Sequence, residues 1–136
     1  MIKNLVKSWE NHKHELEMDI FANEDYYRYA DYSDLVKKMV EFIFNTEDMN
    51  LSHQSYVFNS ENEIDDGDYQ GYKIFFINRK TYQPSPKDYI VTFVGYGSCS
   101  GCDTLMGAQS EKLNQMTEDL MTIFLHMIQK SKHLYD

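Results

Sequence analysis

Two segments decide the fold: Tyr-Lys-Ile-Phe-Phe-Ile-Asn at residues 72–78 and Tyr-Ile-Val-Thr-Phe-Val-Gly-Tyr at residues 89–96. Both are dense in β-branched and aromatic residues, which are enriched in strands. The residues between them, 79–88, contain Pro84 and Pro86, the two prolines of the chain. Because proline interrupts regular pairing, this stretch predicts the loop of a long hairpin. The two segments therefore predict neighbouring antiparallel strands.

Weaker patterns flank this hairpin on both sides. A short strand is predicted at 54–58, and residues 59–71 form a polar connection rich in turn formers. Apolar residues at helical spacing predict helices at 2–22, at 33–45 with Ser33 or Asp31 as N-cap, and at 111–132 with Ser110 as N-cap. The sequence therefore predicts one α+β domain over 1–136. Its helical part is 1–50, and 51–136 hold a three-stranded antiparallel meander with a long C-terminal helix packed on it.

The charge of the chain is uneven. The 136 residues have a net charge of −9. Residues 1–70 carry 16 acids and 6 bases, which sum to −10, whereas residues 71–136 carry 6 acids and 7 bases, which sum to +1. Because affinity for phosphates depends on Lys and Arg, this distribution disfavours direct binding to nucleic acid. The start lacks a signal-peptide pattern, no run is long enough to span a membrane, and two cysteines are too few for a secreted disulfide framework. We therefore expect a cytoplasmic protein.

A cluster of carboxylates lies in the polar connection. Its members are Glu61, Glu63, Asp65, Asp66 and Asp68, and Tyr69 follows directly. We group these six residues as a candidate partner-binding surface. A calcium loop of the EF-hand type does not fit, because aligning Gly67 with the required glycine places Ile64 and Lys73 at ligand positions. Two interpretations remain. The acids either stabilise turns and face solvent, or they form a negatively charged surface that binds a basic partner. In both cases, we expect the five carboxylates to be exposed.

The second candidate site is the pair Cys99 and Cys102 in Cys-Ser-Gly-Cys, placed where a strand ends and a helix or turn begins. Such a pair fits dithiol chemistry or a zinc site, although the βαβ context of thioredoxins is missing. Zinc would need two further ligands, which a homodimer would supply by pooling two pairs into a Cys₄ site. The alternative is a pair of small cysteines without metal or cofactor.

Tyrosine is unusually frequent, with 11 in the chain, and four of these, Tyr26, Tyr27, Tyr29 and Tyr32, lie within seven residues. Tyrosine is enriched at protein interfaces because it buries a large ring while its hydroxyl still forms hydrogen bonds. The alternative is that these rings close a corner between two helices. Sequence motifs for nucleotide binding or for a nucleophilic serine are absent.

Three motifs carry a resemblance to a known group of proteins. They are Ile-Asp-Asp-Gly-Asp-Tyr-Gln-Gly-Tyr-Lys-Ile-Phe-Phe-Ile at 64–77, Thr-Tyr-Gln-Pro-Ser at 81–85 and Tyr-Gly-Ser-Cys-Ser-Gly-Cys-Asp-Thr-Leu at 96–105. In this order and spacing, they resemble a family of small proteins encoded by phages and prophages of Gram-positive bacteria. The resemblance covers about residues 61–130. It implies a viral, intracellular setting and carries no mechanism with it.

Two classes of function follow from these patterns. The first is a non-enzymatic protein that binds a host or defence protein. It would dock on a basic surface of that partner, as inhibitors that mimic DNA do. Its support is the charge of −10 in the first half, the tyrosine cluster and the absence of catalytic motifs. The second is a metal-binding or dithiol protein organised by Cys99 and Cys102. A structural or virion-associated module is a third alternative.

Overall fold

The computed structural model describes residues 2–49, 55–67, 71–97 and 103–134. The helices are α1 (Ile2–Ala22), α2 (Glu24–Arg28), α3 (Tyr32–Met39), α4 (Thr104–Gln109) and α5 (Leu113–Lys130). A π-helical turn, Val40–Phe44, extends α3, and short 3₁₀ turns occupy Glu47–Met49 and Pro86–Asp88. The helices pack into a cluster in which α5 contacts both α1 and the sheet. The predicted α+β class is confirmed.

The sheet is antiparallel throughout. Its strands are β1 (Tyr56–Val57), β2 (Glu63–Gly67), β3 (Gly71–Arg79), β4 (Tyr89–Tyr96) and β5 (Lys132–His133). The order is β1-β3-β4-β5, and β2 pairs with the same edge of β3 as β1. The hairpin of β3 and β4 pairs over eight positions, from Gly71 opposite Tyr96 to Asn78 opposite Tyr89. The predicted central hairpin and its antiparallel direction are confirmed.

The core lies between the helices and one face of the sheet. Along β4, buried residues alternate with more exposed ones, which is the period expected of a strand with one packed face. Phe75, Ile77 and Ile90 point into the core from the sheet, and Phe124 and Leu120 meet them from α5. The buried hydroxyl of Thr92 donates to the main-chain oxygen of Met127, at 2.7 Å, and so joins β4 to α5. The long C-terminal helix is therefore packed on the sheet, as predicted.

The second predicted helix, at 33–45, is confirmed as α3, but its last residues form the π-helical turn Val40–Phe44 rather than α-helix. Asp31 is the N-cap, its carboxylate accepts from the main-chain N–H of Asp34, and Asp34 returns the bond in a capping box. The predicted strand at 54–58 narrows to β1. Asn45, after the π-helical turn, accepts from the N–H of Tyr56 at 2.7 Å and donates to its carbonyl at 3.0 Å. This amide therefore acts as a pairing partner for β1.

The structure corrects three sequence predictions. Among the described residues, the sheet has five strands rather than the three of the predicted meander, because β2 and β5 also pair in it. Residues 63–67, predicted as part of a polar connection, form β2, because their backbone pairs with β3 although only Ile64 is apolar. The last helix begins at Leu113 rather than after Ser110, and its N-cap is Lys112. Ser110 instead ends α4, with its hydroxyl donating to the main-chain oxygen of Met106. The predicted helical end at 132 is β5, which pairs with β4.

In the ranges that the structure describes, no helix has the length and apolar character needed to cross a membrane.

Candidate functional site

The carboxylates of the polar connection lie at one edge of the sheet. Glu61 precedes β2, and Asp65 and Asp66 lie within it; all three are exposed. We call these three residues the acidic edge. In the described part of the chain, β2 pairs with β3 alone, so its other side has no strand neighbour there. The ion pairs between described residues include none of the three. Within the described ranges, the acidic edge therefore forms no ion pair, and its nearest cation along the sheet is Lys73, which lies opposite Asp65 in the register of β2 and β3.

Glu63 departs from the prediction that all five carboxylates are exposed. It is half-buried, because it faces the same side of the sheet as its pairing partner Phe75. Its Oε1 is buried and has no hydrogen-bond partner among the described groups. Asp68 and Tyr69, the other two residues predicted to bind a partner, lie outside the described residues. Among the described residues of the predicted surface, the exposed ones are those of the acidic edge.

A tyrosine fixes the position of the acidic edge. Tyr96, at the end of β4, donates its hydroxyl to Oδ1 of Asp65 at 2.5 Å and lies 2.8 Å from the main-chain oxygen of Gly67. It reaches β2 across Gly71 of β3, which pairs with Tyr96 and with Gly67 on its two sides. A β-carbon on Gly71 would lie 2.1 Å from the main-chain oxygen of Asp66. Glycine at this position therefore lets the three strands approach closely. This close approach allows Tyr96 to hold Asp65 in place.

The face of the sheet that points away from the helices is rich in aromatic side chains. Ile64, Ile74 and Phe93 form one row across β2, β3 and β4, with Tyr72 beside it. Ile64 is 50% exposed and Tyr72 is 56% exposed. The rings of Tyr72 and Phe93 meet edge to face at 6.1 Å between centroids. We call these four residues the outer face. It lies next to the acidic edge, because Asp66 pairs with Tyr72.

The cysteine pair lies in a segment whose two ends are tied together. Cys99 and Cys102 themselves are outside the described residues, so the dithiol and zinc hypotheses stay predictions. The elements on either side follow the predicted sequence, because β4 ends before the segment and α4 begins after it. Asp103, the buried N-cap of α4, accepts from the N–H of Gly97 at 2.8 Å and from the hydroxyl of Tyr32 at 3.0 Å. This carboxylate thus joins Gly97, which precedes the two cysteines in the sequence, to the start of α4, which follows them.

The tyrosine cluster divides into two pairs. Tyr27 and Tyr32 are buried, and their hydroxyls donate to Asp19 and Asp103. Burial, together with these carboxylates, raises the pKa of both hydroxyls above the usual value, so both remain protonated donors. Tyr26 and Tyr29 are exposed, Tyr29 by 84%. The helix-corner interpretation therefore holds for Tyr27 and Tyr32, and only the exposed pair is available for a partner.

The sequence patterns missed two groups of residues. The outer face was readable in part from the alternation along residues 89–96, but the missing cover on that face was not. In a second group, His12 meets Glu47, which lies 35 positions further along the sequence, and the adjacent Asp48. No periodicity or local motif signals such a contact.

The comparisons with known proteins leave the fold and the geometry above as the main guide to function. No protein-family model, no curated protein and no solved structure matches this chain. The resemblance to phage and prophage proteins thus stays a prediction from the three quoted motifs.

Proposed function

We propose that this chain is a non-enzymatic binding protein of phage origin whose acidic edge docks on a basic surface of a host or defence protein. The observation that carries the proposal is the edge strand β2, with exposed carboxylates that form no ion pair with another described residue. A surface of this kind imitates the phosphates of a nucleic acid. It would therefore compete for the basic surface that the partner uses to bind nucleic acid.

The negative charge of the acidic edge also indicates which kind of partner it binds. An edge strand presents unpaired backbone groups that invite another strand, and charged side chains are a common means of preventing pairing between identical edges. Two copies of β2 placed edge to edge would bring Asp65 and Asp66 against like charges, which is unfavourable. A partner with Lys and Arg removes that repulsion. The acidic edge therefore favours a basic protein over a second copy of this chain.

The outer face supplies apolar contact next to the charge. Interfaces commonly combine aromatic anchors at the centre with a polar rim. Ile64 and Tyr72 are exposed beside Asp66, so a partner that approaches the acidic edge also reaches these side chains. Charge would speed the encounter, whereas burial of the aromatic and aliphatic groups would slow dissociation.

The experiment compares two charge-matched double variants. In Glu61→Gln/Asp66→Asn, two carboxylates of the acidic edge are neutralised; in the control Glu111→Gln/Glu118→Gln, two exposed carboxylates at and near α5 are neutralised. Asp65 is left intact because it accepts the hydrogen bond of Tyr96. Each tagged protein is used to isolate partners from a Gram-positive host at low and at high salt. We expect a partner that the wild type and the control retain and that the edge variant loses, with weaker capture at high salt.

Once the partner is known, association rates decide the proposal. The edge variant should associate more slowly than the control, and the difference should shrink as salt rises. Both variants should unfold at the wild-type temperature, because exposed charge changes alter stability by only about 0.5 kcal/mol. Equal association for both variants would contradict the docking role. A lower melting temperature of the edge variant, with unchanged binding, would show that these acids stabilise the local fold of the polar connection rather than bind a partner.

A further inference from the structure

A compact group of metal-ligand side chains lies far along the chain from the acidic edge. His12 of α1 faces the 3₁₀ turn Glu47–Met49. Its Nε2 is 3.1 Å from Oε1 of Glu47 and 3.4 Å from Oδ2 of Asp48. The three ligand atoms all lie within 4.8 Å of one another. One imidazole nitrogen and two carboxylate oxygens thus lie close enough together for one ion to reach all three.

The spacing of these atoms fits a small dication. Zinc binds imidazole nitrogen and carboxylate oxygen at about 2.0–2.2 Å, so two ligands in a tetrahedral site are separated by about 3.3–3.5 Å. The two distances from His12 Nε2, 3.1 and 3.4 Å, are close to that separation. Glu47 is 78% exposed, so its side chain is free to complete the arrangement. The remaining coordination positions would be open to water.

Neighbouring side chains orient the ligands. Nδ1 of His12 lies 3.3 Å from Oε2 of Glu15, one turn further along α1. With an ion bound between Nε2 and the two carboxylates, the proton of the neutral ring would lie on Nδ1 and bond Glu15, which leaves the lone pair of Nε2 for the metal. Metal-binding histidines usually have such a partner on their second nitrogen. Asn11 donates from Nδ2 to Oδ2 of Asp48, at 3.2 Å, and so holds the second carboxylate.

The contact between α1 and the turn does not depend on the ligands. The buried hydroxyl of Ser8 donates to the main-chain oxygen of Ile43 at 2.5 Å and lies 2.6 Å from Oγ1 of Thr46. Met49, at the end of the turn, is buried in the core. Because this packing places the turn against α1, the ligands are brought together before an ion binds. A preformed site of this kind binds with less ordering cost than a flexible one.

From this geometry, we infer that His12, Glu47 and Asp48 bind a first-row transition dication such as Zn²⁺, with Glu15 as the partner of the His12 ring. The mixed nitrogen and oxygen ligands favour such ions over Mg²⁺ and Ca²⁺, which prefer oxygen alone. The net charge of −9 attracts cations in general. The inference is independent of the docking proposal, because it uses none of the residues of the acidic edge or the outer face.

The experiment first removes the two cysteines that the sequence suggests as alternative zinc ligands. In a Cys99→Ser/Cys102→Ser background, stripped of metal with a chelator, Zn²⁺ is titrated by calorimetry and Co²⁺ by visible absorption. We expect one ion per chain, weaker binding of Ca²⁺ and Mg²⁺, and a higher melting temperature with Zn²⁺, because ligands that bind the folded state stabilise it. His12→Gln should weaken binding at least tenfold and abolish the rise in melting temperature.

His14→Gln is the matched control. His14 lies on the same helix, is 77% exposed and has the similar neighbour Glu17 at 3.4 Å, but among the described residues its ion pair stays within α1. It should bind Zn²⁺ as the background does. Glu47→Gln, an exposed change, provides the second test if His12→Gln folds poorly, and it too should weaken binding at least tenfold. Absence of saturable binding in the background, or equal binding by the background and Glu47→Gln, would overturn the inference.

Discussion

The two faces of the β3–β4 hairpin differ in what covers them, although their residues alternate along the same strands. On one face, Phe75, Ile90 and Thr92 are buried beneath the helices. On the other, Tyr72 and Phe93 remain exposed, with Ile64 of β2 beside them. Both faces are apolar or aromatic, so composition does not separate them. Which face becomes the core is therefore set by the packing of the helices. The outer face keeps exposed apolar surface that no other described element covers.

The comparison is tested most strongly with two phenylalanines on opposite faces. Phe75→Ala removes a fully buried ring and should lower the free energy of unfolding by about 3–5 kcal/mol. Phe93→Ala removes an exposed ring, together with its contacts to Tyr72 and to the ammonium of Lys130, and should cost about 1 kcal/mol. Chemical denaturation of both variants gives the two values.

Equal losses in the two variants would break the comparison. They would mean that Phe93 is covered in solution, by a second copy or by residues outside the described ranges. A concentration-dependent melting temperature would identify the second copy, because association shifts apparent stability by mass action.

Two glycines sharpen the comparison at the end of the hairpin. Gly71→Ala should destabilise by about 1–3 kcal/mol, because the added carbon would meet the backbone of Asp66 at 2.1 Å and push β2 away from β3. Gly95→Ala is the control. Its added carbon would lie 3.8 Å from the ring of Tyr72, an ordinary contact, and stability should be unchanged within about 0.5 kcal/mol. Thermal unfolding followed by circular dichroism compares the two.

The Gly71 prediction also concerns the acidic edge. If β2 is displaced in Gly71→Ala, the hydrogen bond from Tyr96 to Asp65 should be lost as well. Faster amide exchange in residues 63–67 of this variant, and not of Gly95→Ala, is the expected signature. Unchanged exchange would show that the three strands do not depend on a glycine at this crossing.

The smallest expected effect concerns one hydroxyl on the core face. Thr92→Val keeps the shape of a β-branched residue but removes the bond to the main-chain oxygen of Met127. The loss should be about 0.5–1.5 kcal/mol, because this oxygen also accepts from the hydroxyl of Ser131. Denaturation with urea measures it. A loss as large as that of Phe75→Ala would mean that the hydrogen bond, rather than apolar packing, holds α5 on the sheet.

Local patterns account for the parts of the fold that were predicted correctly. The helix α1 spans Ile2–Ala22 as its apolar spacing indicates, and Asp31 caps α3 as a short acceptor before an apolar helix does. The hairpin of β3 and β4 follows from two apolar runs around a proline-containing loop. The strand β2 was missed because pairing with β3, rather than the propensity of Glu-Ile-Asp-Asp-Gly, makes it a strand.

The candidate sites show the same division. The carboxylates of the acidic edge are visible as a cluster in the sequence, and the exposure of Glu61, Asp65 and Asp66 is confirmed. The half-burial of Glu63 was not predictable, because it depends on which side of β2 faces the helices. The contact between His12 and the turn Glu47–Met49 was invisible for a related reason, since it depends on how two segments pack.

By itself, the sequence determined the α+β class, the central hairpin, the helices with clear apolar periodicity and the concentration of acids before β3. These features depend on interactions within a few residues, for which spacing and propensity are sufficient. The tertiary structure was needed to show that β2 is an edge strand, that Tyr96 reaches Asp65 across Gly71, and that Ile64, Tyr72 and Phe93 are not covered by other described residues. The physical reason is that each of these features arises between segments brought together by core burial, and burial acts on the chain as a whole.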